Sequence, residues 1–166
     1  MTLVVENGAG LADAESFASV AAFKTYCTDR GVSYGTDATI EQRLRAGFDY
    51  MLQAYRTRWA GYRSTTTQAG DWPRYDVPRR DLGMGAYYAS TVIPAEIVQA
   101  NILLAIRATP GEDLTPDETQ AVKREKVGQL ETEYQDHSTD EVRYPAVDRL
   151  VAPFLVNGGA ARMMRA

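Results

Sequence analysis

The sequence predicts a mainly α-helical fold. It reads as a small helical bundle around one long helix, with a β-hairpin, a long irregular loop and an extended C-terminal tail. Three observations predict this. Large apolar residues recur at Ile40, Leu44, Phe48, Met51, Tyr55, Trp59 and Tyr62, the spacing of one face of an α-helix. The segment from Ala95 to Ala108 is apolar on most sides, as a central helix is. Residues 122–135 read as strand, two-residue turn, strand. A chain of 166 residues fits a single domain. Its helical core is expected over about 19–108 and 145–152, the hairpin over 122–135 and the tail over 157–166.

Taken in order, Thr2–Val5 is β-branched and suits one edge strand. Asn7–Gly10 is a turn. Ser19 is placed to cap a first helix running to about Arg30, with Val20, Phe23, Tyr26 and Cys27 on one side. Gly31 stands where a C-terminal cap belongs. The long helix follows from Ile40 to Tyr62, capped by Asp37 or Thr39. Thr39 with Gln42 fits a capping box. Gly47 is its weak point, costing about 1 kcal/mol against alanine.

Residues 63–92 show no sustained period and hold Gly70, Pro73, Pro78, Gly83 and Gly85. A loop this long is usually functional or poorly ordered. Its aromatics Trp72, Tyr75, Tyr87 and Tyr88 argue against plain disorder. It is expected to pack on its own domain or on a neighbour. Pro94 opens the third helix, and Thr109-Pro110-Gly111 closes it. An acidic linker, 112–120, leads to the hairpin, where Gly128-Gln129 suits a two-residue turn. Pairing Val127 with Leu130 then sets Lys126 opposite Glu131 and Arg124 opposite Glu133, a charge-complementary ladder. A lone hairpin is marginal in water, so it needs a partner surface. A last helix, Ala146–Val151, buries Val147, Leu150 and Val151.

Composition excludes several classes. Hydrophobic residues are 45% and charged residues 24%, as in an ordinary globular protein. The net charge of -4 and pI near 5.1 argue against a general nucleic-acid binder. Cys27 stands alone, so no internal disulfide is possible. No apolar run reaches the ~18 residues of a membrane span. The N-terminus lacks the basic and apolar regions of a signal peptide. Synthesis in the cytoplasm and no membrane partner are the expectations.

Candidate chemistry is sparse. His137, beside Asp136 and Asp140, has the residue type of a general base, but a solvated loop histidine explains it more simply. A second histidine and paired cysteines are both lacking, which argues against zinc. Cys27 reads as a small core residue. The Gly8/Gly10 and Gly83/Gly85 pairs lack the lysine and helix context of a phosphate loop. An enzyme is not expected, and no cofactor, metal or catalytic residue is assigned.

Nucleic-acid binding has one supporting stretch. Tyr55–Arg80 holds six arginines and two aspartates, net +4, which leaves -8 for the rest of a chain totalling -4. Arginines among aromatics suit a single-strand groove, with Arg56, Arg58, Arg74 and Arg79 as its contacts. The competing reading puts Tyr55, Trp59 and Tyr62 on the helix's buried stripe. The arginines are then a solvated face, or salt bridges to the acidic segment 112–141. Met163 and Met164, between Arg162 and Arg165, form an adaptable tail or a frayed end.

The combination is recognisable. Val5-Glu6-x-Gly8-x-Gly10-Leu11-Ala12, Trp72-Pro73-Arg74, Ile93-Pro94-x-Glu96-Ile97, Val122–Gly128 and Tyr144-Pro145-x-Val147-Asp148 resemble a family of tailed-phage proteins across nearly the whole chain. Its members are called head–tail connector or adaptor (neck) proteins, and many carry the label "DnaT-like single-stranded DNA-binding protein". The resemblance implies a mostly helical subunit of the virion neck. About twelve copies would form a homo-oligomeric ring under the portal protein. The ring would join capsid to tail or tail-completion protein and leave a channel through which DNA passes without sequence-specific binding. The expected subunit and portal contacts are Lys123, Arg124, Lys126, Glu131, Glu133 and Tyr134 of the hairpin, with Arg162, Met163, Met164 and Arg165 of the tail. The label implies instead a single-stranded DNA-binding protein of phage replication.

Overall fold

The computed structural model describes residues 2–82, 85–108, 114, 124–127, 130–133 and 143–156. Four helices carry it: α1 (Val20–Thr28), α2 (Asp37–Tyr55), α3 (Ala95–Arg107) and α4 (Pro145–Val151), the last continued by a 3-10 turn, Ala152–Phe154. Two short antiparallel ladders complete it, β1 (Tyr62–Arg63) with β2 (Arg74–Tyr75), and β3 (Arg124–Val127) with β4 (Leu130–Glu133). The mainly helical expectation holds at this level.

The first helix starts as its sequence dictates. The Ser19 hydroxyl accepts from the Ala22 N–H, relieving one of the donors a helix start leaves open. The helix stops at Thr28, two residues short of the expected Arg30, and Gly31 follows at φ 65°. Thr36 caps α2, accepting from Thr39 N. Asp37 and Thr39 lie inside that helix, so the expected Asp37 or Thr39 cap is corrected. Thr2–Val5 forms no strand. Only Val5 bridges, parallel to Ser16, because Glu6 turns the chain. Its buried carboxylate accepts from Gly8, Gly10 and Leu11 N–H at 2.8–3.0 Å.

α2 ends at Tyr55, not at Tyr62. The apolar period runs on through Trp59 and Tyr62, but Trp59 pairs with Leu155 as an isolated bridge and Tyr62 enters β1. The stripe therefore holds from Ile40 to Tyr55, all five positions buried. Trp59 is buried by long-range packing, and Tyr62 is 63% exposed.

α3 is the second wall of the core and packs most closely on α2. Gly47 permits this approach. A Cβ there would lie 2.9 Å from Asn101 Nδ2 and 3.1 Å from Leu104 Cβ. The residue that weakens helix propensity is the one that lets two helices touch. One apolar cluster joins Phe23 and Cys27 of α1 to Ile40 and Leu44 of α2 and Ile102 and Ala105 of α3. A larger one joins Phe48, Met51 and Tyr55 to Trp59, Trp72, Ile97, Val147, Val151 and Phe154. Cys27 is a fully buried core residue whose thiol pKa burial pushes up, as the sequence suggested. In α4, Val147 and Val151 are buried, whereas Leu150 is only partly so.

The described residues of 63–92 pack on the rest of this chain. Trp72 meets Trp59, Phe154 and Tyr88 edge-on, at centroid distances of 5.5–6.4 Å. Gln68, 2% exposed, fills the role of a strand: its side chain binds Thr65 N, Gly70 O and Pro73 O. Buried loop backbone must find partners, and here buried side chains supply them. The hairpin has the expected register: Val127 faces Leu130, Lys126 faces Glu131 and Arg124 faces Glu133. The turn at Gly128-Gln129 lies outside the described residues.

Candidate functional site

Of the four arginines expected to bind a single strand, one is internal. Arg74 is 6% exposed. Its guanidinium donates to Ala60 O at 2.8 Å, Gly61 O at 2.7 Å and Asp71 O at 3.2 Å. These are carbonyls of loop backbone, which need donors where they are buried. Arg74 ties the loop to them and offers nothing to a ligand, which corrects its assignment as a DNA contact. Arg79 is half-buried, its guanidinium 4.9 Å from the Tyr88 ring centre. Arg56 and Arg58 are exposed. Arg56 approaches Asp71 at 3.4 Å, and Arg58 stands 5.5 Å from the Tyr55 ring centre. The structure thus leaves two of the four on the surface, and both already have a local contact.

Asp71 is the electrostatic centre of this region. Its side chain is 3% exposed, and Arg56 Nε stands 3.4 Å from Oδ1. Burial raises its pKa. The guanidiniums of Arg56, Arg74 and Arg63 oppose that shift without cancelling it. The Tyr55 hydroxyl donates to Asp148 Oδ1 at 2.6 Å, linking α2 to α4. Burial, then the Asp148 carboxylate, hold the Tyr55 phenol well above its usual range.

What the sequence missed is a surface. Tyr62 and Tyr75 face each other across the β1–β2 ladder, ring centres 5.4 Å apart and tilted by 32°. Both are exposed, 63% and 43%. Gly61 at φ 65° marks the break that frees Tyr62 from the helix, and Gly61 was the available signal. Beside this ladder Pro78 bridges Tyr87, while Val156 N donates to Arg58 O and Arg80 donates to Leu155 O. A cleft of about 510 Å³ opens here, with Pro78, Arg80, Tyr88, Glu96, Arg149 and Phe154 on its walls. A second, of about 410 Å³, lies between α1 and α3 at Tyr26, Arg30, Val98 and Ile102.

Arg124, Lys126, Glu131 and Glu133 fall on β3 and β4 at the expected register positions. Lys123, Tyr134, His137, Arg162, Met163, Met164 and Arg165 lie outside the described residues. Among the described residues no His, Cys, Asp or Glu cluster could hold a metal ion. Among them, too, no helix is long and apolar enough to cross a membrane.

A family model described as "Putative DnaT-like ssDNA binding protein" matches residues 1–166. The chain belongs to that family. No curated protein and no solved structure matches it. The family's description and the internal position of Arg74 pull in different directions. The sequence pattern that suggests a DNA groove is, at Arg74, a device for closing the fold.

Proposed function

We propose that this member of the DnaT-like family is a structural head-to-tail adaptor of a tailed bacteriophage. It would form a ring under the portal, join capsid to tail and leave a channel for DNA. The observation that carries this reading is the β3–β4 hairpin, which pairs with no other described strand. A two-stranded hairpin is marginal alone, so a neighbouring subunit or portal surface suits it as a partner. The register sets Lys126 across from Glu131 and Arg124 across from Glu133. Opposite charges at facing register positions favour the pairing. The acidic balance of the chain supports a channel role, since a lining that repels phosphate lets DNA slide. The working site is the virion neck after synthesis in the host. The role needs no cofactor and no catalytic residue.

The test is electron microscopy of the purified chain mixed with its portal. Portal-dependent rings are expected. Their absence, together with tight binding to single-stranded DNA that falls steeply with salt, overturns the reading.

The family's description favours a second reading, a single-stranded DNA-binding protein of phage replication. Arg56 and Arg58 are then the contacts to examine, because both are exposed. Fluorescence anisotropy with a labelled oligonucleotide from 50 to 200 mM salt, roughly the range over which phosphate contacts reveal themselves, tests it. Weak binding with a flat salt dependence removes this second reading.

A further inference from the structure

We propose that the hairpins of neighbouring copies pair edge to edge: the outer edge of β4 in one copy receives the outer edge of β3 in the next. The proposal rests on the ring reading above, and names the subunit contact that reading leaves open. Among the described residues, β3 and β4 pair only with each other. Each then has, among those residues, one edge without a partner strand. Such an edge is a template for another strand. Charge on the hairpin is divided by strand. Arg124 and Lys126 stand on β3, and Glu131 and Glu133 on β4. The register sets Arg124 across from Glu133 and Lys126 across from Glu131. Residues directly opposite share a face, and so do residues two apart on one strand. One face of the hairpin therefore places a basic strand beside an acidic one. The other face takes Glu125, Val127, Leu130 and Thr132.

This division selects the pairing. β3 against β3 sets Arg124 and Lys126 against the same two cations of the other copy. β4 against β4 sets Glu131 and Glu133 against the same two carboxylates. Like charges directly opposite are destabilising, and only β4 against β3 sets acid against base. Strand direction agrees. Rotation about a ring axis keeps every β3 running one way along it and every β4 the other. β4 then meets the next β3 antiparallel, as it meets its own. The same rotation turns the same face of each hairpin to the same side, so the charged faces line up. The contact is heterologous, the geometry that generates rings when its rotation closes. Closure leaves no strand edge open. An extended peptide of the portal is the poorer fit, because it would cover one edge and leave the other.

The experiment reverses charge strand by strand in the full chain. Arg124→Glu with Lys126→Glu makes the charged face wholly acidic. Glu131→Lys with Glu133→Lys makes it wholly basic. Each double variant sets like charges within its own hairpin as well as between copies. A quadruple variant carries all four substitutions and restores opposite charge in both places. Assembly is read by sedimentation and by electron microscopy with portal; folding is read by circular dichroism and thermal midpoint. Each double variant alone should associate at least tenfold more weakly than wild type. Mixed in equal amounts, the two should assemble again, because acidic and basic hairpins then alternate. The quadruple variant should form rings of its own, and should sort away from differently tagged wild type when the two are mixed. A double variant that assembles alone as wild type does overturns the proposal. So do folded double variants that stay apart when mixed, and wild-type and quadruple chains that share rings freely. A folded quadruple variant that no longer docks on portal assigns the hairpin to the portal, and overturns the proposal while leaving the adaptor reading intact. A wild-type chain that forms no rings with portal overturns the adaptor reading, and this contact with it.

Discussion

The side-chain oxygen of Asn101 accepts the hydroxyl proton of Ser16 at 2.7 Å, across 85 residues of chain. It also accepts from Phe17 N at 3.0 Å, while Asn101 Nδ2 donates to Leu44 O at 3.0 Å. One fully buried amide thus joins the N-terminal loop, α2 and α3. Such a network is stabilising only when every member is satisfied.

Asn101→Ala strips the Phe17 N–H of its acceptor and takes a donor from Leu44 O, while the Ser16 hydroxyl keeps Ala18 O as acceptor. An unsatisfied buried group costs about 1–3 kcal/mol, so a loss in that range is expected. Urea unfolding followed by circular dichroism measures it. A loss below about 1 kcal/mol would mean water takes over these bonds.

Gly47→Ala should destabilise, although helix propensity alone favours alanine by about 1 kcal/mol. The new Cβ meets Asn101 O at 3.0 Å and Leu104 Cβ at 3.1 Å, and overpacking typically costs about 1–3 kcal/mol. Gly35→Ala is the control. Its Cβ would come no nearer than 3.4 Å to any neighbouring atom, the nearest being the Thr39 side chain, so its stability should stay within about 0.5 kcal/mol. Equal thermal midpoints for the two variants would contradict the close α2–α3 approach.

Asp71 makes a pH-dependent contribution whose sign follows from its raised pKa. The folded state holds the proton more tightly than the unfolded chain. Its stabilisation is therefore complete below the unfolded value of 3.8 and is lost as pH rises through the raised folded value. Asp71→Asn removes this dependence. The variant's thermal midpoint should gain on wild type as pH rises above 3.8, then level off. A difference that shrinks with rising pH would show that Arg56, at 3.4 Å, outweighs burial.

Arg74 and Arg58 should behave differently although both stand in the same arginine-rich stretch. Arg74→Ala leaves the carbonyls of Ala60 and Gly61 without this donor and takes a cation from beside buried Asp71. A loss of about 3–5 kcal/mol is expected for breaking such buried contacts. Arg58→Ala removes one exposed ring contact, worth about 0.5–1 kcal/mol. Chemical denaturation of the two variants separates them. Comparable losses would count against the structural role of Arg74.

Sequence alone determined whatever depended on near neighbours. Ser19 and Pro94 set helix starts because capping is local. The period from Ile40 to Tyr55 gave a buried helix face, and a two-residue turn at Gly128-Gln129 specified a hairpin register that the structure reproduces. Tertiary structure decided where that period stops meaning helix. Trp59 keeps helical spacing but is buried through Leu155, some ninety-six positions on. Tyr62 keeps it too, yet faces outward beside Tyr75. It also decided which arginines are surface. Arg74 and Arg58 look alike in one dimension, and only Arg74 reaches the loop carbonyls of Ala60 and Gly61. A backbone acceptor that needs a donor is visible only once the chain has turned back on itself, and that requirement drew Arg74 inside.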